Sequence, residues 1–139
     1  MPVVHEQIKI ITSGKGTTDF TKEVSRIISK SNIKNGTVTL FCRHTSASLL
    51  IMENADPSVR VDLENYLDRL VPERDPLYTH TFEGPDDMPA HVKTSFSSTS
   101  ETVPLHDGKM VLGTWQGLYL WEFRSQSHSR MIWVTINGE

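Results

Sequence analysis

The sequence contains a single cysteine, no long apolar run and no large excess of either charge. Cys42 alone cannot form an internal disulfide or a cysteine-cluster zinc site, so we expect a buried, unreactive thiol. The 14 basic and 17 acidic residues give a formal net charge of −3. Binding to a nucleic-acid backbone normally requires a positive excess, and we therefore expect no nucleic-acid partner.

The chain also lacks the hydrophobic segments that direct proteins to membranes. It has no run of about 18 apolar residues, and residues 1–20 lack a basic segment followed by an apolar one. We expect neither membrane insertion nor export, and hence a cytoplasmic protein. At 139 residues the chain has the length of one ordinary domain, so a single domain over residues 1–139 is expected.

Hydrophobic periodicity predicts an α+β fold. The predicted strands are residues 3–11, TVTLFCRH, LLIM, VPLH, KMVL, GTWQGLYLWEFR and RMIWVTIN. The predicted helices begin near Thr17 or Thr18, at Asp56-Pro57 and at Pro89. The second helix carries an apolar stripe formed by Val59, Leu63, Tyr66, Leu67 and Leu70. Because about seven strands and two to three helices show no strict βαβ alternation, we expect a mainly antiparallel sheet.

One predicted strand has an unusually aromatic face. Strand periodicity places Trp115, Tyr119, Trp121 and Phe123 on the same side of GTWQGLYLWEFR. Two helices are few to cover both faces of a sheet of about seven strands, and exposed aromatic faces of this size mark contact surfaces. The pattern therefore favours an oligomer in which a subunit contact completes the burial.

The stretch YTHTFEGPDDMPAHVK, residues 78–93, crowds histidines and carboxylates into a segment broken by a glycine and two prolines. A turn in this segment can gather His80, Asp86, Asp87 and His91 around one point. Imidazole and carboxylate donors suit zinc or another first-row divalent metal. The alternative is that the aspartates cap a helix and the histidines are solvated.

Three other segments carry polar groups that fit either a site or ordinary structure. HTSAS places His44 at the end of an apolar strand face, as a ligand or as a hydrogen-bonded core histidine. GTWQG has a glycine at each end, which permits close approach of a ligand or forms a bulge. Glu122 and Arg124 share a strand face, as an ion pair or as a ligand-binding pair. Lys93 can bind a phosphate or be a solvated helix lysine.

The motifs FCRHTSASLLIMENADP, HTFEGPDDMPAHVK, VPLHDGKMVLGTWQGLYLWEFR and VTINGE together resemble the YjbQ family, also described as secondary thiamine-phosphate synthase enzymes. The resemblance covers residues 5–139. It implies an α+β fold with an antiparallel sheet sandwich, a homotrimer and an ability to support thiamine phosphate formation. Two positions depart from the family pattern: Ser98 stands where glycine is usual, and Phe123 where histidine is common.

The resemblance also implies a site drawn from distant parts of the chain. The candidate metal ligands are His44, His80 and His91. The candidate catalytic residues are Glu83, Asp86, Asp87, Lys93, Gln116, Glu122 and Arg124. The candidate substrate-binding residues are Thr45, Ser46, Thr114 and Trp115.

The leading hypothesis is a small enzyme that uses a divalent metal, zinc or magnesium, on a small phosphorylated metabolite. Its candidate reaction joins an aminopyrimidine diphosphate to a thiazole phosphate and releases pyrophosphate, whose charge the metal, Lys93 and Arg124 would stabilise. Glu83, Asp86 and Asp87 would orient the ligands or accept a proton. Two alternatives stay open: a metal-dependent hydrolase of a small metabolite, and a non-catalytic trimer that binds a metal or an anion.

Overall fold

Three helices and two antiparallel sheets form the fold in a computed structural model that describes residues 2–139. The strands are β1 (Val3–Ile11), β2 (Gly16–Asp19), β3 (Gly36–Cys42), β4 (Ala47–Glu53), β5 (Ser100–His106), β6 (Lys109–Met110), β7 (Gln116–Glu122) and β8 (Ser129–Gly138). The helices are α1 (Thr21–Ser31), α2 (Pro57–Leu70) and α3 (Asp87–Phe96). The predicted α+β class is confirmed.

The two sheets divide the strands five to three. The larger sheet has the order β1-β8-β3-β5-β6 and the smaller has the order β2-β7-β4. In the smaller sheet, Ala47 of β4 lies opposite Glu122 of β7, and Glu53 lies opposite Gln116. The HTSAS segment therefore lies at the same end of this sheet as Glu122 and Arg124, whereas GTWQG lies at the opposite end.

The main core lies between the two sheets. Residues alternate between buried and more exposed along the strands of the larger sheet, because only one face of that sheet packs against the rest of the chain. In β8, for example, Ile132, Val134 and Ile136 are fully buried. Helix α1 adds Val24 and Ile28 to the same core.

Strand β7 is buried on both faces. Leu118 and Leu120 point into the main core, whereas Trp121 and Phe123 belong to a second core that also contains residues of α2 and α3. Trp121 and Phe123 are 7% and 2% exposed, so the same chain covers most of the predicted aromatic face. Trp121 and Phe123 therefore need no subunit contact to complete their burial. Trp115, which precedes β7, is 63% exposed.

Helix α1 begins later than predicted, and α2 begins where predicted. Residues Gly16–Asp19 form β2 and pair with β7, a long-range contact that the local pattern does not reveal. Asp19 then accepts the backbone N–H of Thr21 at 2.9 Å at the start of α1. In α2 the predicted cap Asp56 accepts the backbone N–H of Ser58 at 3.0 Å.

The apolar stripe predicted for α2 is only half buried. Leu63 and Leu67 pack against the second core, whereas Tyr66 and Leu70 are 62% and 58% exposed. The helix therefore lies at the molecular surface and leaves part of its apolar face open to solvent. In the part of the chain that the structure describes, no helix combines the length and the apolar character needed to cross a membrane.

Candidate metal centre

Helix α3 positions two of the residues predicted to form the site. Asp87 and His91 are four residues apart, so their side chains lie on the same face of the helix. Ala90 is fully buried and packs against Trp121 and Phe123 in the second core. Because alanine is small, α3 lies close to the three-stranded sheet, and this contact sets the direction in which Asp87 and His91 point.

Replacing Ala90 with leucine is expected to destabilise the protein by about 1–3 kcal/mol, because extra methyl groups in a filled core force neighbours apart. Urea denaturation of the variant and the wild type measures this change. Ala55→Leu is the control, because Ala55 is exposed and the same added volume meets solvent. Equal unfolding free energies for wild type and Ala90→Leu would contradict the close contact between α3 and the sheet.

His80, Asp87 and His91 bring three donor atoms together. The Oδ2 atom of Asp87 lies 2.7 Å from Nε2 of His80 and 3.1 Å from Nε2 of His91. The centroids of the two imidazole rings are 5.4 Å apart. The Asp87 side chain is only 2% exposed, whereas those of His80 and His91 are 46% and 30% exposed. The group is therefore open to solvent on its histidine side.

The hydrogen bonds of His91 require a cation between its ring and the Asp87 carboxylate. Its Nδ1 lies 2.8 Å from the carbonyl oxygen of Thr45, and because a carbonyl only accepts, Nδ1 carries the proton and donates it. In the neutral ring Nε2 then has a lone pair, directed at Oδ2 of Asp87. Two acceptors this close are favourable only when a cation, either a proton on the ring or a metal ion, lies between them.

Arg124 holds both aspartates in place. Its Nε donates to Oδ2 of Asp86 at 2.9 Å, and its Nη1 donates to Oδ1 of Asp87 at 2.7 Å. Its Nη2 donates to the carbonyl of Glu83 at 3.0 Å. The backbone N–H of Ser125 also donates to Oδ2 of Asp86, at 2.9 Å. Arg124 thus orients Asp87 towards the histidines, and its guanidinium is not free to bind a substrate.

Both aspartates are ionised at neutral pH. Burial raises the pKa of Asp87, but the hydrogen bond to His80 and the charges of His91 and Arg124 outweigh it and hold that pKa below its usual range. Burial also opposes ionisation of Asp86, but hydrogen bonds from a backbone amide and from Arg124 lower its pKa. Asp86 occupies the N-cap position of α3 without capping any helix N–H. The alternative in which the aspartates serve to cap the helix is therefore not supported for Asp86.

The donor set fits zinc. Two imidazole nitrogens and one carboxylate oxygen lie within 4.8 Å of one another, a convergence that, among residues 2–139, is found for His80, Asp87 and His91. Catalytic zinc sites use three such protein ligands and leave a further position open. Imidazole suits zinc better than magnesium. Thr45 and Arg124 supply the outer hydrogen bonds that usually orient metal ligands.

A cavity of about 300 Å³ opens beside this group. It lies on the loop that joins α2 to α3, and His80 belongs to both the cavity wall and the cluster of donor atoms. Its other lining residues include Arg74, Tyr78, Thr81, Pro85 and Met88. A small molecule bound there would therefore contact the candidate metal centre.

His44, predicted as the third histidine ligand, does not join this group within the chain. Its Nε2 accepts the backbone N–H of Met131 at 2.7 Å. Burial, followed by the positive charge of Arg130, lowers the pKa of His44. The ring is therefore neutral, as this hydrogen bond requires. The structure favours the alternative given above, a hydrogen-bonded histidine at the edge of the core.

Glu122 and Ser46, predicted as a catalytic and a substrate-binding residue, belong to a buried network that joins the two sheets. Glu122 is 1% exposed and forms a two-point ion pair with Arg130, in which Nε donates to Oε1 at 2.8 Å. The hydroxyl of Thr12 donates to the same oxygen at 2.8 Å. Arg130 also donates to Oγ of Ser46 at 2.9 Å. All four side chains are buried and inaccessible to a substrate.

Lys93, predicted to bind a phosphate, lies on the other side of α3 from the candidate ligands. Lys93 is two positions after His91, and two positions correspond to a rotation of about 200° around a helix. Lys93 is 3% exposed, and its Nζ pairs with Oδ1 of Asp68 in α2. The same Nζ lies 5.9 Å from the centre of the Phe123 ring. Lys93 thus holds α2 against α3.

The GTWQG segment lies far from the candidate metal centre in the same chain. It enters β7 at Gln116, and the eight residues from there to Arg124 span roughly 25 Å of extended chain. The Oε1 atom of Gln116 accepts the backbone N–H of Gly113 at 2.8 Å and so closes a local turn. Within one chain, the structure does not bring Thr114, Trp115 or Gln116 to the predicted site.

Two predicted residues reach the site through their backbones. Thr45 binds His91 through its carbonyl oxygen, and Glu83 accepts from Arg124 through its carbonyl oxygen. Neither of the two residues that depart from the family pattern, Ser98 and Phe123, supplies a donor atom to the candidate metal centre. The carbonyl of Ser98 accepts the backbone N–H of Leu49 at 2.8 Å, and Phe123 is buried in the second core.

The sequence-based prediction missed Arg130, which organises the network behind the site. Arg130 lies at an even number of positions from Ile132, Val134 and Ile136. Strand periodicity therefore places its charged side chain on the same inward face of β8. A charge at such a position requires a buried partner. The position of Arg130 among inward-facing apolar residues could therefore be read from the sequence. The contribution of Arg74 to the cavity wall depends on the structure of a loop, for which the sequence shows no comparable pattern.

Comparison with known proteins gives consistent matches to one family. The family model described as UPF0047 protein YjbQ-like matches residues 6–139. A UPF0047 protein of Synechocystis sp. is 46% identical over 136 residues, which cover 97% of this chain and 92% of the relative. The UPF0047 protein YjbQ of Escherichia coli O157:H7 is 42% identical over 116 residues, which cover 84% of this chain and 83% of the relative.

Solved structures agree with the sequence matches. A YbjQ-like protein of unknown function from Sulfolobus solfataricus is 26% identical, with a TM-score of 0.86, over 99% of this chain and 100% of that one. An uncharacterised YjbQ/UPF0047 protein from Clostridium acetobutylicum is 34% identical, with a TM-score of 0.85, over 96% of this chain and 99% of that one. The chain therefore belongs to the UPF0047 (YjbQ-like) family.

Proposed function

We propose that the protein is a small metal-dependent enzyme whose centre is formed by His80, Asp87 and His91. The observation that supports this proposal most directly is the convergence of Nε2 of His80 and Nε2 of His91 on one carboxylate oxygen, at 2.7 Å and 3.1 Å from Oδ2 of Asp87. The Thr45 carbonyl accepts a hydrogen bond from Nδ1 of His91, so Nε2 of that ring is the nitrogen that faces the carboxylate. The arrangement provides donors for a cation and leaves one side open to solvent.

Each protein group has a definite task in this proposal. A divalent cation at the centre supplies charge stabilisation to an electron-rich or departing group of the substrate. Asp87 would hold the cation through one oxygen, while its other oxygen accepts from Arg124, which fixes the direction of the carboxylate. Thr45 fixes the ring of His91. His80 lies where the cavity meets the centre, so it contacts both a bound metabolite and the cation.

Two reactions are candidates. The first joins an aminopyrimidine diphosphate to a thiazole phosphate and releases pyrophosphate. Lys93 and Arg124 are already paired with aspartates, so a metal held by His80, Asp87 and His91 would supply most of the stabilisation of the pyrophosphate charge. The second is hydrolysis of a small metabolite, which the solvent exposure of His80 and His91 favours because water reaches the centre directly.

Elemental analysis and two assays test these proposals. Protein purified without chelators is expected to contain about one zinc per chain, consistent with a single three-donor group. Pyrophosphate release that requires both co-substrates identifies the synthase reaction, and turnover of one metabolite in water identifies the hydrolase. Metal binding without turnover of any metabolite would overturn both enzyme proposals and leave metal binding as the function.

A non-catalytic, cytoplasmic homotrimer that binds a metal or an anion is the remaining candidate. The exposed apolar side chains of Tyr66 and Leu70 on α2 support a contact between subunits. In this case zinc or phosphate would raise the melting temperature through binding to the folded state alone. Light scattering that gives the mass of one chain would contradict the trimer.

Replacing Arg124 with lysine is expected to lower zinc affinity by about 10- to 100-fold, although no ligand is removed. Lysine keeps the positive charge but cannot donate to Asp86, Asp87 and the Glu83 carbonyl together. Competition with a chelator of known affinity measures the change. Unaltered zinc affinity would contradict the positioning role of Arg124.

A further inference from the structure

We infer that the cavity beside His80 is the substrate subsite, and that Arg74 pairs there with an anionic group on a small, partly apolar molecule. The inference rests on the proposed metal-dependent function, because it assigns the cavity to the substrate of that centre. The ligand class is a phosphate monoester or a carboxylic acid with an aromatic or aliphatic body. Arg74 and the cavity wall, apart from His80, were not among the residues predicted to form the site.

The position of the cavity supports this assignment. Its volume of about 300 Å³ is at the lower end of the range for small-molecule pockets, which matches a small metabolite. His80 forms part of its wall and also places Nε2 2.7 Å from Oδ2 of Asp87. A molecule in the cavity therefore lies beside the open side of the metal centre.

Arg74 has a guanidinium available for a ligand. Its side chain is 76% exposed, and the ion pair found for it within residues 2–139 is a long one, 3.8 Å from Nη1 to Oε2 of Glu73. The other oxygen of Glu73 accepts from Lys15 at 3.1 Å, so Glu73 is shared between two cations. By contrast, Arg124 and Arg130 each form close, two-point contacts with carboxylates.

The rest of the cavity wall defines the other parts of the ligand. The Tyr78 ring, Pro85 and Met88 offer apolar contacts to a ring or chain. Asp75 also lines the cavity, and one of its oxygens accepts the backbone N–H of Leu77 at 2.9 Å. The other oxygen can accept from a hydroxyl or amino group of the ligand. The cavity thus suits a molecule with an acidic end and an apolar body.

The backbone of Arg74 provides a variant that removes the guanidinium without harming the fold. Its φ is 58°, in the left-handed region that non-glycine residues seldom adopt. Glycine adopts this region readily, so Arg74→Gly relieves backbone strain. Loss of ligand binding in Arg74→Gly, with an unchanged or higher melting temperature, would therefore reflect the missing side chain.

Calorimetric titration with phenyl phosphate tests the inference. Zinc-loaded wild type is expected to bind phenyl phosphate, and Arg74→Gln and Arg74→Gly are expected to bind it about 10- to 100-fold more weakly, through loss of a charge-assisted contact. Arg26→Gln is the matched control, because Arg26 is exposed on α1 and its loss changes the net charge equally. Benzoate and inorganic phosphate separate the contributions of the acidic group and the apolar body.

The outcomes distinguish the subsite from the metal centre. Zinc content is measured first, and a protein that takes up no zinc contradicts the proposed function. Titration of the zinc-free protein with phenyl phosphate then tests the subsite without the metal. Binding to the zinc-free protein that is weakened in the Arg74 variants would support the subsite. Failure of wild type to bind phenyl phosphate or benzoate, or equal binding by wild type and both Arg74 variants, would overturn the inference. Equal affinity for phenyl phosphate and inorganic phosphate would overturn the claim that the apolar wall of the cavity binds the body of the ligand.

Discussion

Replacing His91 with alanine is expected to lower zinc affinity by about 100-fold or more, because the substitution removes a ligand. Loss of a residue that only hydrogen-bonds to a metal ligand already lowers metal affinity by about 10- to 100-fold. His91 supplies one of three donor atoms, and its ring is held by a hydrogen bond to Thr45. In the zinc-free protein, the loss of that bond is expected to reduce the unfolding free energy by only about 1 kcal/mol. Competition with a chelator measures affinity, and urea denaturation measures stability.

His106→Ala provides the control for the His91 variant. Its side chain is 75% exposed, and it lies at the end of β5, away from the candidate ligands. The control is expected to bind zinc as the wild type does. If both variants lost affinity equally, or neither did, the assignment of zinc to His80, Asp87 and His91 would be wrong.

Replacing Glu122 with glutamine is expected to destabilise the protein by about 3–5 kcal/mol at pH 7, the usual effect of removing one partner from a buried ion pair. Glutamine has nearly the same shape but leaves the charge of Arg130 without a counter-charge, and Arg130 is only 4% exposed. Urea denaturation measures the change. Glu6→Gln, at an exposed position in β1, is the control and is expected to change stability by less than about 0.5 kcal/mol.

The effect of Glu122→Gln is also expected to depend on pH. Burial raises the pKa of Glu122, but hydrogen bonds from Arg130, Thr12 and the Arg124 backbone outweigh burial and lower it. A folded-state pKa below the unfolded value of about 4.3 stabilises the protein fully above that pH. This stabilisation is lost as the pH falls through the lowered pKa. The difference between wild type and variant should therefore narrow below about pH 4, and a constant difference would contradict the buried ion pair.

Local pattern predicted most of the secondary structure because the signals lie within each element. The Asp56-Pro57 start of α2 depends on contacts within one helical turn. The turn at Asp107 and Gly108 depends on two positive φ angles, 50° and 77°, that suit these residues. Strand β2 was missed because its four residues are defined by pairing with β7, about one hundred positions along the chain.

The candidate site was predictable to the extent that its residues are close in sequence. Asp87 and His91 are on one face of a helix, and His80 is only seven positions before Asp87. The sequence did not reveal that His44 binds the Met131 amide, since that contact spans 87 positions. It also could not show that Glu122 pairs with Arg130 across the two sheets, rather than with Arg124 two positions further along the chain.

The sequence by itself determined the family, the α+β class and the crowding of histidines and aspartates between α2 and α3. These depend on residue order and on periods of two to four residues. Only the tertiary structure decided which polar groups are accessible and which are occupied by buried partners. Each side chain can pair with any of several groups, and the packing of the two sheets and α3 determines which partner is close enough. The donor atoms of His80, Asp87 and His91 therefore converge at a point that is open to solvent on its histidine side, whereas the charges of Lys93, Glu122 and Arg124 are held in ion pairs within the protein.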